Sequence, residues 1–154
     1  MQKTNIDRTD KRILGELQHQ AKLSMNQLGD RVGLSQTPCW RRIKRLEDAG
    51  VIRRRVALLD PVQLDLTVNV FVELKVSKPA DSRILARAVQ TIPEILECYM
   101  VSGDTDFLLR VIAKDIPTYH RLLDTLLALL PDTRNVKSTF ALREIKYTTE
   151  LPIS

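Results

Sequence analysis

The chain reads as an α+β protein in two parts: an N-terminal winged helix-turn-helix unit joined by a short linker to a C-terminal ferredoxin-like βαββαβ unit. Three observations predict this. Apolar residues recur at helical spacing as far as Gly50 and at strand-like alternation from Thr67 onward. Two short helical segments are separated only by Gly33-Leu34-Ser35, the tight glycine-containing turn of a helix-turn-helix. Finally, Met1 to Asp60 holds 13 Lys+Arg against 7 Asp+Glu, whereas the remainder holds 11 against 12. The expected boundaries are 1–60 for the first domain, 61–66 for the linker and 67–154 for the second domain.

Composition narrows the function classes. Hydrophobic residues make up 44% and charged residues 28%, ordinary for a globular protein. No apolar run approaches the roughly 18 residues of a membrane span, and MQKTNIDRTDKR lacks the apolar core of a signal peptide, so a cytoplasmic address is expected. Cys39 and Cys98 lie within apolar-periodic segments without ligand-like spacing and read as reduced core residues. Neither a metal nor a cofactor is expected. His19 and His120 are isolated, and no Ser/His/Asp set or phosphate-binding glycine loop is evident, so an enzyme is not expected either.

In the first part, Ile13, Leu14 and Leu17 give one helix an apolar stripe, with Asp7 or Thr9 as its cap. The next helix opens on Ser24 with Gln27 three residues on, an S-x-x-Q capping box, and Gly33 terminates it. The third helix, Ser35 to Gly50, turns Cys39, Ile43 and Leu46 to one side and its cations to the other. Ser35 is its expected N-cap and Gly50 is placed to end it in a left-handed conformation.

Net basic charge on this part points to a polyanion. In a helix-turn-helix the N-terminal residues of the second helix face base edges in the major groove; here these are Gln36, Thr37, Trp40 and Arg41. Gln can bond adenine, Arg can bond guanine bidentately, and Thr can offer its methyl to thymine. Lys44 and Arg45 are placed for phosphates. Trp40 either stacks on the sugar-phosphate backbone or packs on the flank of its own domain. Arg53, Arg54 and Arg55 lie in a β-rich run suited to the wing of a winged helix-turn-helix, or to a solvated edge strand protected by charge.

After Asp60-Pro61 the pattern changes. Thr67 to Val76 alternates strictly, with Val68, Val70, Val72, Leu74 and Val76 on one face. A helix started by Asp81 is expected to carry Ile84, Leu85, Ala88, Val89 and Ile92 on one side, with Pro93 beyond it. Strands follow at Ile95 to Val101 and Phe107 to Ala113, joined by a short polar loop. Asp115 caps a helix that Pro131 ends, and Asn135 to Tyr147 alternates as a fourth strand. This order predicts an antiparallel sheet with both helices on one face. With Phe71 and Tyr99 on the uncovered face, a homodimer through the sheets is expected.

Five stretches carry a resemblance: IDRTDKRIL, VGLSQTPCWRRIKRLEDAGVI, ALLDP, ECYMVSGDTDFLLRV and FALREIKYTTELP. In this order, over nearly the whole chain, the sequence resembles the Lrp/AsnC (leucine-responsive, feast/famine) transcriptional regulators. The resemblance implies a DNA-binding domain followed by a RAM domain that binds amino acids and assembles dimers into octamers or similar closed assemblies. It further implies effector contacts at Val101, Gly103, Asp104 and Asp106, and at Ser138 and Thr139 of a neighbouring subunit. Loop N–H groups around Gly103 can hold a carboxylate, and Asp104 or Asp106 can accept from an ammonium group; alternatively both aspartates stabilise the hairpin. The loop reads Asp-Thr-Asp-Phe where members commonly have Asp-Tyr-Asp-Tyr, and the helix reads Thr-Pro-Cys-Trp where many have Ser-Pro-Cys-Leu.

The expected function is sequence-specific regulation of transcription on pseudo-palindromic operators, with an amino-acid effector that changes assembly and DNA affinity. The alternative is a nucleoid-like architectural protein that wraps DNA with little effector response.

Overall fold

The computed structural model describes residues 4–130, Thr133 and residues 135–153. It divides into two compact units, Met1–Leu58 with Lys146–Ser154, and Leu59–Ile145.

Each of the first two helices starts where the sequence supplies reciprocal caps. Asp7, rather than Thr9, caps α1 (Arg8–His19): its carboxylate accepts from the Asp10 N–H at 2.8 Å, while Asp10 accepts from the Asp7 N–H at 3.0 Å. The Ser24–Gln27 pair does the same for α2 (Met25–Val32). Gly33 then takes φ +70°, a conformation that costs glycine no Cβ clash, and turns the chain into α3 (Gln36–Asp48). Ser35 occupies the N-cap of α3, but its side chain makes no capping hydrogen bond, a correction to the expected cap. Gly50, at φ +70°, follows the α3 C-terminus as expected.

Ile13, Leu23, Leu28, Val32, Cys39 and Ile43 form the core of this unit, each 4% exposed or less. The expected β-rich run after Gly50 forms no strand: residues 53–60 carry neither helix nor strand. A strand requires a ladder partner, none among the described residues pairs with this stretch, and three adjacent arginines repel one another.

The first unit has one component that the sequence placed elsewhere. The tail, expected inside the second domain, returns to α1. Gln18 and the Leu151 backbone exchange two hydrogen bonds, Nε2 to the carbonyl at 3.1 Å and Leu151 N–H to Oε1 at 2.6 Å. His19 Nδ1 lies 2.8 Å from Glu150 Oε1. Accordingly the fourth strand is shorter than its alternating pattern suggested.

The second unit begins with a 3-10 turn, Val62–Leu64. Its sheet comprises β1 (Val68–Lys75), β2 (Ile95–Met100), β3 (Phe107–Ala113) and β4 (Asn135–Phe140), all antiparallel in the order β2-β3-β1-β4. Strand β4 runs out of partner where β1 begins: the last bond goes from Ala141 N–H to the Asn69 carbonyl at 2.9 Å. Helix α4 (Pro79–Ala88) starts two residues before the expected Asp81, whose carboxylate reaches back to the Lys78 N–H at 3.3 Å. It ends before Ile92, and Ile84 faces solvent instead of the core. Helix α5 (Ile116–Ala128) is capped by Asp115, as expected; Pro131, expected to end it, lies outside the described residues.

Leu85 and Ala88 of α4 and Tyr119 and Leu126 of α5 pack with Val70, Val72, Leu74, Leu109 and Val111 on one sheet face. The opposite face carries Phe71, 38% exposed, and Tyr99, 54% exposed. Between them a polar chain runs from the Tyr99 hydroxyl through Glu97 and Arg110 to Asn69, with contacts of 3.0, 3.2 and 3.3 Å.

Candidate nucleic-acid interface and effector loop

Helix α3 is anchored by its buried stripe, and this fixes which side chains it presents. Cys39, Ile43 and Leu46 are buried, with the Leu46 carbonyl also accepting from Val51 and Ile52 at 2.9 and 3.1 Å. Trp40 is 55% exposed, with its remaining surface covered by its own domain. Arg41 makes no ion pair with any described residue and stays available. Gln36 donates to the Asn26 side chain of α2, which orients its amide; Thr37 is exposed beside it.

The expected phosphate contacts divide into two groups. Arg53 and Arg54 have no ion partner among the described residues. The other cations are already paired: Lys44 with Asp48 at 2.9 Å, and Arg55 with Glu47 at 3.0 Å. Arg45 pairs with Asp10 and donates to the Asn5 carbonyl at 3.1 Å. The hydrogen bond to Asp48 raises the Lys44 ammonium above its ordinary value.

Sequence reasoning missed the acidic side of this arrangement. Arg42 reaches across to α1, 2.6 Å from Asp7 and 2.8 Å from Asp10. The Asp10 side chain is 0% exposed. Burial alone would push its carboxyl up; hydrogen bonds from Arg45, the Asp7 N–H and Arg42 together outweigh that and hold it below the ordinary value. Asp7 is likewise lowered, first by the Asp10 N–H and then by Arg42. The visible signal was Asp-x-x-Asp at the start of α1, but its long-range arginine partners lie more than thirty residues away.

In the second unit the loop after β2 is pinned to the end of β1. Asp106 accepts from the Val76 N–H at 2.9 Å, its own N–H donates to the Leu74 carbonyl at 3.0 Å, and its carbonyl accepts from Val101 at 3.0 Å. Thr105 adds a 2.8 Å bond to the Leu74 carbonyl. Gly103 and Asp104 therefore stand at an exposed tip, while Val101 and Asp106 line an open concavity of about 380 Å³ with Ser77, Lys78, Ser82 and Met100. Ser138 and Thr139 belong to the edge strand β4 and point to opposite faces. Ser138 is hydrogen-bonded to the buried Tyr119 hydroxyl, whereas Thr139 lies opposite Phe71. No cluster of metal-ligating side chains and no helix long and apolar enough to cross a membrane occur among the described residues.

A three-helix core whose third helix turns a basic face outward, followed by a ferredoxin-like unit, defines a helix-turn-helix DNA-binding regulator with a C-terminal sensor-type domain. Family comparison agrees for both segments: residues 6–53 match the winged helix-turn-helix DNA-binding model and residues 67–151 match the Lrp/AsnC ligand binding domain. The chain belongs to the Lrp/AsnC family of transcriptional regulators. It is 40% identical over 151 residues to the leucine-responsive regulatory protein of Escherichia coli K12, covering 97% of this chain and 92% of that one. It is 37% identical over 150 residues to the E. coli K12 transcriptional activator DecR, covering 96% and 99%.

Among solved structures, an AsnC family regulator from Agrobacterium tumefaciens shares 46% identity at a TM-score of 0.89, covering 95% of this chain and 96% of that one. A Neisseria meningitidis transcriptional regulator in complex with L-methionine shares 39% at 0.90, covering 96% and 97%. The relatives are regulators of transcription, and the chain is a DNA-binding transcriptional regulator rather than an enzyme.

Proposed function

We propose that the chain regulates transcription by reading pseudo-palindromic operators as a homodimer and that an amino acid bound near the β2–β3 loop changes its assembly and DNA affinity. Residues 1–60 serve the DNA, 61–66 link, and 67–154 hold the effector and the assembly contacts, with the tail of that segment contributing to the first unit. The observation that carries the DNA reading is the unpaired Arg41 beside exposed Trp40, Thr37 and an oriented Gln36 on one helix. These four read bases; Arg53 and Arg54 take phosphates directly, and Lys44, Arg45 and Arg55 do so by exchanging a carboxylate for a phosphate.

For the effector, the exposed Gly103-Asp104 tip offers N–H groups to a carboxylate and a carboxylate to an ammonium group, with Val101 and Asp106 behind it. The methionine complex of the Neisseria relative supports an amino acid as ligand class. Thr139 is available on the open sheet face, whereas Ser138 serves the fold through Tyr119. That face, apolar at Phe71 and Tyr99, supports pairing of two copies, from which octamers or similar closed assemblies form; the setting is the cytoplasm.

Thermal denaturation against the twenty amino acids tests the effector reading. A ligand at 100 times its Kd stabilises the native state by about 2.7 kcal/mol, and Asp104→Ala abolishes that shift while DNA binding without effector persists. No shift with any amino acid at millimolar concentration, or an undiminished shift in Asp104→Ala, contradicts it.

A further inference from the structure

Two carboxylates stand where a basic DNA-binding surface would be expected to avoid them. Asp10 is sealed in the interior, where Arg45 and Arg42 of α3 share it as counter-ions at the first turn of α1. Asp7 is different: its side chain is 49% exposed, and it lines one concavity with Leu34, Pro38, Arg41, Arg42 and Arg45. An exposed carboxylate beside three arginines of a reading helix repels phosphate and lowers DNA affinity. The helix cap does not require that charge, because Asn and Ser cap as well as Asp does.

We propose that Asp7 is an internal counter-ion that competes with the DNA backbone for Arg42, withholding one cation of α3 from sequence-independent binding. In the free protein Arg42 Nη1 lies between Asp7, at 2.6 Å, and Asp10, at 2.8 Å. Asp10 keeps Arg45 as a second cation, so once the Asp7 charge is gone Arg42, 31% exposed, can leave the remaining carboxylate for a phosphate. Non-specific binding consists essentially of cation–phosphate neutralisation. A freed Arg42 would therefore strengthen binding to every sequence, and the competing genomic sites would hold more of the protein. Asp7 in this account is a specificity-determining residue that acts through Arg42, distinct from Asp10, which positions the helix.

The test is fluorescence-anisotropy titration of the full chain on a labelled duplex of random sequence over a series of salt concentrations, for wild type, Asp7→Asn and Asp7→Asn/Arg42→Gln. Asp7→Asn is expected to steepen the log K against log[salt] slope by about 0.9, one phosphate. A fourfold rise in salt then costs the variant about 3.5 times more affinity than it costs wild type. In the double variant the added slope disappears, which separates a freed Arg42 from the simple removal of a negative charge. An unchanged slope in Asp7→Asn, or a steepening that survives Arg42→Gln, overturns the proposal. Asp7→Ser, which also preserves the cap, repeats the measurement should Asp7→Asn melt early.

Discussion

A Cβ placed on Gly29 would lie 2.4 Å from the carbonyl oxygen of Leu34. The contact joins the middle of α2 to the turn that launches the reading helix, and it is reinforced by the Leu34 N–H bond to the Gly29 carbonyl at 2.9 Å. Here the atom in the way is backbone, so no rotamer change relieves it. Gly29→Ala is expected to destabilise the first unit by about 1–3 kcal/mol, the usual cost of overpacking. Urea unfolding followed by the fluorescence of Trp40, the single tryptophan, reads this unit alone. A wild-type midpoint would show that the turn can yield.

Asp10 gives the same unit an acid sensitivity with a defined sign. Its folded carboxyl titrates below the ordinary 3.8, so the native state binds fewer protons than the unfolded chain over that window. The resulting stability is full above the unfolded value and is lost as pH falls through the lower folded one. Asp10→Asn should be less stable than wild type near neutrality, by at most the roughly 3–5 kcal/mol of a broken buried pair. It should also lose less stability on acidification below about pH 4. Parallel curves would remove Asp10 as the origin.

The tail contact predicts a smaller effect. Gln18 makes two hydrogen bonds to the Leu151 backbone, both at the surface, where a net contribution of about 1 kcal/mol is typical. Gln18→Ala should lower the Trp40-detected stability by about that amount, and deletion of residues 149–154 should leave Gln18→Ala without further effect. Additive losses would show that the two do not act through one contact.

Ser138 separates a structural role from a ligand role. Its hydroxyl partners the Tyr119 hydroxyl, and Tyr119 is 1% exposed. Ser138→Ala leaves that group unpaired and should cost about 1–3 kcal/mol, while the stabilisation by amino acid, measured relative to the variant's own baseline, stays unchanged. Loss of the ligand response with retained stability would reverse the assignment.

Local signals were the legible ones. The Ser24–Gln27 capping box, the Gly33 turn, the strict alternation around Val70, Val72 and Leu74, and the bounds of β3 could be read directly, because caps, turns and periodicity are properties of neighbouring residues. What could not be read depends on partners distant in sequence. Arg42 and Arg45 find their carboxylates on α1, the tail finds Gln18, and β4 stops opposite the start of β1. Alternation beyond Phe140 looked like strand because periodicity reports a preference for two faces and carries no information on whether a neighbour is there to pair. Of the interface, Arg41 and Thr37 were legible as outward positions on an amphipathic helix, whereas the role of Trp40 and the prior engagement of Lys44, Arg45 and Arg55 were not.

The central claim is that α3 reads bases through Arg41, and selection of bound sequences from a random duplex library by wild type and Arg41→Ala tests it most directly. Wild type should enrich a two-fold motif with half-sites about one helical turn apart. Arg41→Ala should bind that motif about 1–3 kcal/mol more weakly and lose the preference at one base pair in each half-site. Failure of wild type to enrich any motif, or recovery of the same full motif by Arg41→Ala, would contradict the account.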